Sequence, residues 1–376
     1  MGIRERKMRD LAKQTLTAIG VISGTSMDAI DVSIVESDGR ETLRFGAGAS
    51  YPYPAETRRE LQALIAEAER AVKEPLRELE AAVTAAHLDA VRRFMTEQAL
   101  DPQSIDLVGL HGQTVYHRPE IRFTRQLIDG PAVATALGIP TVDRFRYADV
   151  AAGGEGAPFA PLYHRALALA QGLGQPVMVL NLGGVGNVTY IDGDDVIAFD
   201  TGPASAILDD FVLRRLGRAY DAGGALAASG QVREDLVADF MTNPFFERPA
   251  PKSLDRNDFH RRAKVVEALS DADGAATLAA FTVESVVSAL RHVPKAPKRW
   301  LVTGGGRLNS HFMARLHERL GVPVEPVEAA GWAGDVIEAQ TFGYLAIRSV
   351  KGLPLSLPGT TGVPEPLTGG RLNLPS

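Results

Sequence analysis

The chain contains no cysteine among its 376 residues. That absence excludes disulfides, thiolate metal sites and a cysteine nucleophile, and it fits a cytoplasmic protein. Positive charge is not in excess: 40 Lys and Arg stand against 46 Asp and Glu, for a net charge of −6. The basic footprint of a nucleic-acid binder is therefore missing. An anionic ligand would have to be held by local backbone amides and a few side chains. No stretch approaches the roughly 18 apolar residues of a membrane helix. The basic start, "MGIRERKMRDLAKQTLTA", lacks the apolar core of a secretory signal and reads as a frayed leader, with Met8 as an alternative start. Several catalytic signatures are also missing. There is no G-x-x-x-x-G-K-[ST] loop, no H-E-x-x-H and no G-x-S-x-G elbow, which disfavours a P-loop NTPase, a zincin and a Ser-His-Asp hydrolase. No H-R-D kinase loop is present either.

What remains is ordinary in bulk and unusual in detail. The chain is 45% hydrophobic and 23% charged, as in globular proteins generally. Its length suits two domains or one large one, with a sizeable core. Its 37 glycines fall in clusters.

"AIGVIS" and "IDVSIVES" carry β-branched, apolar runs on either side of Gly24, Thr25 and Ser26, which predicts two paired strands. "ETLRFGAGASYPY" is a candidate third strand. From Ala55 to about Leu100 the apolar spacing turns helical, through Leu76, Leu79, Val83, Val91 and Phe94, with a break at Pro75. His87 falls on that stripe and reads as a core histidine. "IDLVGLHGQTVYH" predicts a buried strand and a polar loop, and "ADVAAGGEGAPFAPLYHRALALA" a Gly-rich loop feeding a helix.

The pattern then restarts. "PVMVLNLGGVGNVTYIDGDDVIAFDTG" again predicts strand, Gly turn, strand, turn and strand, followed by the helix "PASAILDDFVLRRLG". "TLAAFTVESVVSALRHV" predicts an amphipathic helix, "RWLVTGGGRLNSHFMARL" a strand, Gly turn and helix, and "GDVIEAQTFGYLAIRSV" a last helix. The Pro/Gly-rich tail reads as coil. A structural repeat of this kind points to two similar α/β domains facing each other.

Each Gly-tipped turn admits two readings. Successive N–H groups at Gly24, Thr25 and Ser26 form an anion-binding concavity, to which the hydroxyls add donors. Asp28 and Asp31 then suit a Mg²⁺ ion held through water; alternatively Asp28 only bonds turn amides. Gly183, Gly184 and Gly186 repeat the arrangement in "NLGGVGN". Asp200, Thr201 and Gly202 precede a helix whose N-terminus either faces phosphate or is capped by Thr201 or Ser205. Gly304, Gly305 and Gly306 suit close backbone approach to a nucleotide.

Two-fold repetition with such hairpins resembles the ATP-clamping domains of the actin/hexokinase/Hsp70 superfamily. Within it, eight blocks in order from Gly20 to Ala346 resemble the anhydro-N-acetylmuramic acid kinase family. They are "GVISGTSMDAIDVSIVE", "HGQTVYHRP", "ADVAAGGEGAPFAPLYH", "NLGGVGNVTYI", "FDTGPASAILDDF", "PAPKSLDRNDF", "VTGGGRLNSHFMARL" and "GDVIEAQTFGYLA".

The resemblance implies two actin/hexokinase-like (ribonuclease H-like) domains with a nucleotide cleft between them. The expected lobes are 16–148 and 149–345, with a tail over 346–376. It implies ATP and Mg²⁺ as cofactors and a sugar, 1,6-anhydro-N-acetylmuramic acid, as substrate. Water opens the anhydro ring while O6 takes the γ-phosphate. Asp149, in "YADVAAGGEG", is the implied general base; by itself it reads as a turn-capping aspartate. Glu155, in the same loop, is read as solvent-facing or positional rather than catalytic.

Nucleotide contacts are implied for Gly24, Thr25, Ser26, Met27, Asp28, Ala29, Ile30 and Asp31 in the first hairpin. In the second half they are implied for Asn181, Gly183, Gly184, Asn187, Asp200, Gly202, Gly304, Gly305, Gly306 and Asn309. Sugar contacts are implied for Tyr116, His117, Arg146 and Glu338, while Glu338 also reads as a first-turn helix acid. His111 is read as a partner to the strand end. The chain departs from the family pattern at Tyr116, where Trp is common, and at Arg144, where an Asp usually precedes Phe145 and this chain has Asp143 one place earlier. No protein metal site, nucleic acid or membrane partner is expected, and a homodimer is admitted. Two other readings stay open: another sugar or carboxylate kinase of the superfamily, and an ATP-gated binding module.

Overall fold

A computed structural model describes residues 11, 13–24, 27–254 and 259–376. Thr25 and Ser26 of the first turn lie outside the described residues, as does most of the expected leader. The chain forms two compact units, one of residues 1–170 with 336–376, the other of residues 171–335.

The first unit opens with β1 (Leu16–Ser23), β2 (Ala29–Ser37) and β3 (Leu43–Pro52), antiparallel in succession. β1 is buried almost throughout, as a central strand covered on both faces must be. Ile19 and Val21 pack with Leu79, Val83 and Phe94 of the helix Arg77–Glu97. Pro75 separates that helix from Ala55–Ala66, as predicted. His87 is fully buried on its apolar face. β4 (Leu107–Arg118) runs parallel to β1, and β5 (Phe123–Leu127) folds back on it. β6 (Thr141–Asp143) lies parallel to β4. The helices Tyr147–Ala151 and Pro161–Ala170 follow.

The second unit repeats the plan. β7 (Val177–Leu182), β8 (Val185–Asp192) and β9 (Asp195–Pro203) are antiparallel neighbours. β10 (Arg299–Thr303) runs parallel to β7, and β11 (Val324–Pro326) parallel to β10. Met178, Leu180 and Leu182 pack with Phe211, Phe281, Trp300 and Val302. The helix Asp271–Ser288, capped by the Ser270 hydroxyl oxygen accepting from Asp273 N–H at 3.1 Å, supplies much of this core. An 18-residue window within Asp271–His292 has a mean hydropathy of 1.2, and 72% of that window is buried in the protein, as in a core helix. Small residues such as Ala275, Ala276 and Ala279 raise its hydropathy while letting neighbours pack closely.

The chain then returns to the first unit. The helix Ile337–Val350 lies against β1 and β4: a Cβ on Gly20 would stand 1.9 Å from the Ala339 carbonyl oxygen, and one on Gly109 2.2 Å from that of Phe342. The tail, read as coil, forms a short helix (Pro358–Thr361) and β12 (Arg371–Asn373), which pairs antiparallel with β6. Arg371 grips the fully buried Asp143 through two hydrogen bonds of 2.9 and 2.6 Å. Asp143, the displaced acid of the family pattern, is thus a partner of the tail.

Among the described residues the sheets run β12-β6-β4-β1-β2-β3, with β5 beside β4, and β11-β10-β7-β8-β9. In each, the first strand of the antiparallel trio also takes a parallel neighbour on its other edge. This is one α/β plan used twice, the actin/hexokinase-like class. The unit boundaries differ from the expected 148/149 and 345/346. Residues 149–170 stay with the first sheet because Pro161–Ala170 packs on the returning helix. There Tyr163 donates to Gln340 Oε1 at 3.0 Å, and the rings of Tyr163 and Tyr344 lie 5.5 Å apart.

Candidate active site

In the first unit, β6 ends at Asp143 and the chain turns through Arg144, whose φ is +56°. The helix Tyr147–Ala151 then carries Asp149 inward, where it is 1% exposed. Both carboxylate oxygens are engaged. Oδ1 accepts the Gly156 N–H at 2.7 Å, and Oδ2 accepts the Thr361 hydroxyl at 2.6 Å. The loop that follows wraps this acid. Gly153 and Gly156 have φ of +91° and +67°, and a Cβ on Gly154 would lie 2.3 Å from Asp149 Oδ1. Glycine is required here by left-handed backbone and by contact.

Arg146 and His117 hold that loop. Arg146 Nε donates to His111 Nε2 at 2.9 Å and its Nη1 donates to the Gly156 carbonyl. His111 Nδ1–H donates to the Gly112 carbonyl at 2.8 Å, so its ring is the neutral Nδ1–H tautomer. Burial, then the neighbouring guanidinium, push its pKa well down. Burial also pushes Arg146 down, to about 10. His117 Nε2–H donates to the Glu155 carbonyl at 2.9 Å, while Nδ1 accepts from the Thr124 hydroxyl at 3.0 Å. Burial lowers His117 too, with Arg146 second. Glu155 meets His117 through its backbone carbonyl and Thr361 through its N–H.

Glu338 stands at the start of the helix Ile337–Val350. Its side chain reaches open space but is ringed by protein atoms, and this partial withdrawal from water is the first cause of its raised pKa. Repulsion from Asp31 adds to the rise and Arg146 opposes it. Tyr116 is half-buried, edge-on to Phe123 at 5.5 Å.

At the first hairpin, Met27 N–H donates to the Gly24 carbonyl at 3.2 Å and Met27 takes φ of +54°. The side chains of Met27 and Ile30 belong to the core, which leaves backbone groups to meet a ligand. Ala29 is half-buried at the start of β2. Asp28 is exposed and paired with Arg58, and Asp31 Oδ1 accepts the Ser50 hydroxyl at 2.6 Å. No cluster of three or more His, Asp or Glu able to hold a metal occurs among the described residues.

The second unit holds a cavity of about 640 Å³. Gly183 and Gly184 of the second hairpin, Gly305, Gly306 and Asn309 all line it. Gly304, with φ of +78°, abuts Asn181, whose Oδ1 a Cβ would meet at 2.3 Å. Asn187 faces Asn181 across the hairpin. Asp200 and Gly202 pair with the second hairpin, opposite Asn187 and Gly186; Asp200 Oδ2 accepts Leu254 N–H at 2.8 Å, and Gly202 approaches Ser285. Asn309 also caps the helix Ser310–Leu320, accepting from Phe312 N–H at 3.1 Å.

The helix Ser205–Leu216 opens beside the cavity without a side-chain cap. Its first N–H groups go to the second hairpin, Ser205 to the Gly183 carbonyl at 2.9 Å and Ala206 to that of Gly184 at 3.4 Å. Those amides therefore tie the helix to the hairpin. Sequence reasoning missed Asp209, Tyr220, Asp221, Leu308 and Phe312 in the lining. Tyr220 and Leu308 are 62% and 72% exposed. The signal was there: a bulky apolar residue stands beside each Gly cluster, in "AYDAGG" and "GGGRLN".

The family model for anhydro-N-acetylmuramic acid kinase matches residues 16–373. A relative of that name from Azorhizobium caulinodans is 51% identical over 373 residues, covering 96% of this chain and 100% of its own. Another of the same name, from Nitrobacter winogradskyi, is 49% identical over 367 residues with the same coverage. A solved structure, component A of the Acidaminococcus fermentans (R)-2-hydroxyglutaryl-CoA dehydratase, aligns at a TM-score of 0.48 and 11% identity, over 89% of this chain and 99% of that one. From Leu16 to Asn373, the chain belongs to the anhydro-N-acetylmuramic acid kinase family.

Proposed function

We propose that this chain is the ATP-dependent kinase that opens the 1,6-anhydro ring of 1,6-anhydro-N-acetylmuramic acid and phosphorylates O6, in the recycling of cell-wall fragments in the cytoplasm. The observation that carries the reading is the buried Asp149 carboxylate, held by two donors at the end of a glycine loop. In an anhydro sugar O6 is bound to C1, so no free hydroxyl exists to be phosphorylated. Asp149 takes a proton from water as the water oxygen bonds to C1. The C1–O6 bond breaks, O6 bonds to the γ-phosphorus, and the bond from that phosphorus to the β,γ-bridging oxygen breaks. The products are N-acetylmuramic acid 6-phosphate and ADP, and the proton on Asp149 returns to solvent.

The sugar is assigned to the first unit. Glu338 and Tyr116 contact it, while Arg146 and His117 support its site from behind by fixing the loop after Asp149. The nucleotide is assigned to the cavity of the second unit, with Gly183, Gly184 and Gly305 against its phosphates and ribose. Asp28 and Asp31 suit a metal whose other ligands are phosphate oxygens and water, since Mg²⁺ needs only one or two carboxylates in such sites. Bound there, Mg²⁺ would neutralise charge on the transferring phosphoryl group.

The test is the mass of the sugar product after incubation with ATP and Mg²⁺. Gain of one phosphate and one water is expected. ADP formation only with sugars bearing a free 6-hydroxyl would point to an ordinary sugar kinase. ADP formation indifferent to every sugar would point to a nucleotide-gated binding module. Asp149→Asn is expected to lower kcat by about 10³-fold or more with nucleotide affinity kept; near-wild-type turnover would remove Asp149 from the role.

A further inference from the structure

The carboxylate of Asp149 is not positioned by its own loop alone. One of its two donors comes from the C-terminal tail. Thr361 is fully buried, and its hydroxyl meets Oδ2 at 2.6 Å. The same residue is fixed at its backbone, where its carbonyl accepts the Glu155 N–H at 2.7 Å. It ends the short helix Pro358–Thr361, whose first turn is closed by Thr360 Oγ1 accepting the Leu357 N–H at 3.0 Å. Gly362 follows at φ +79° and turns the chain away. Val363 then packs against the glycine loop, where a Cβ on Gly154 would stand 2.6 Å from its Cγ1. The tail is therefore bonded both to the acid and to the loop that wraps it.

A buried hydroxyl with its backbone locked on the opposite side has little freedom to turn elsewhere. A carboxylate held at one oxygen by a backbone N–H and at the other by this hydroxyl has its plane set, which fixes the direction of its remaining lone pairs. A general base works only when such a lone pair is aimed at the proton it takes.

We propose that Thr361 is a positioning residue for the reaction: its hydroxyl orients the Asp149 carboxylate, so that the C-terminal segment completes the base. This rests on the assignment of Asp149 as the base.

Of the charged and titratable groups, Arg146 from its own helix and His117 from β4 act electrostatically on Asp149, and both are retained in the variants. Thr361→Val removes the donor at nearly constant volume, Thr361→Ala removes it without any clash, and Thr361→Ser keeps it. For the first two, kcat with the anhydro sugar is expected to fall on the order of 10- to 100-fold, with KM for ATP unchanged. KM for the anhydro sugar is expected to stay near wild type, which separates a misaimed base from a lost binding site. Thr361→Ser is expected to keep the rate.

A wild-type rate in Thr361→Val would overturn the proposal. So would equal losses in the Ser and Val variants, or loss of the folded state in both hydroxyl-free variants, since each assigns the residue to the fold alone. Asp149→Asn separates the two claims. If that variant turns over normally, the base assignment fails; if it is inactive while Thr361→Val behaves as wild type, only the positioning role fails.

Discussion

Gly183 and Gly304 are alike in the sequence, each set in a glycine cluster after a strand, but the structure gives them different work. A Cβ on Gly183 would have ordinary contacts, the nearest at 3.6 Å to the Val185 carbonyl oxygen, and the residue lines the cavity. Gly304 has φ of +78° and no room for a Cβ. Substitution at Gly183 is therefore a test of ligand space, while substitution at Gly304 tests the fold. Gly183→Val is expected to leave the melting temperature near wild type and weaken ATP binding on the order of 10-fold or more, about 1.4 kcal/mol, by filling the space a phosphate needs. Titration calorimetry with ATP and a thermal melt check both halves, and unchanged affinity would put the phosphates elsewhere. At this scale the glycine blocks were legible because backbone geometry needs particular residue types, whereas Asp149 by itself read as a turn cap and was singled out only by the resemblance. The tautomers of His111 and His117 were not, because they depend on which carbonyl or guanidinium stands opposite each nitrogen.

At the scale of elements, both antiparallel trios and the break at Pro75 could be read from periodicity and turn residues, since those signals are local. The tail could not. Its three-residue strand is too short to show a period, and its partners, β6 and Asp149, lie far back in the chain. The returning helix Ile337–Val350 shows the same limit. Its apolar spacing predicted a helix, but nothing in it announced that it would press on the bare backbone of β1 and β4. Gly20 and Gly109 make that contact, at the neighbouring register Gly20↔Gly109 of the parallel pair. A methyl group at Gly20 would overlap the Ala339 carbonyl, so the helix would have to lift from the sheet. Gly20→Ala is expected to destabilise the first unit by about 3 kcal/mol or more, read as a drop in the denaturant midpoint. A midpoint within error of wild type would mean that the helix can shift at no cost.

At the scale of the whole molecule, the buried histidines and the tryptophans are segregated. His87, His111 and His164, exposed by 0%, 4% and 4%, all lie in the first unit. Burial pushes His87 down to about 4 and His164 to about 3, and carries His111 well below its usual value. The folded state keeps them neutral where the unfolded chain takes up protons. Their contribution is thus complete above the unfolded value near 6.5 and is lost as pH falls from there toward the folded values. For His87 alone the loss is roughly 3 kcal/mol by pH 4. In the second unit His292 and His311 are also lowered by burial, but both are only half-buried. The chain's two tryptophans, Trp300 and Trp332, belong to that unit. Acidification from pH 7 is therefore expected to cost far-ultraviolet circular dichroism, which reports both units, before the tryptophan emission shifts. His87→Leu removes one titrating group together with a buried ring nitrogen, Nε2, that has no hydrogen-bond partner. It should move the dichroism transition to lower pH, lower its steepness by about one proton, and leave the emission transition in place. Coincident transitions in the wild type, or a dichroism midpoint unmoved in His87→Leu, would show that these histidines do not set the acid limit of the fold.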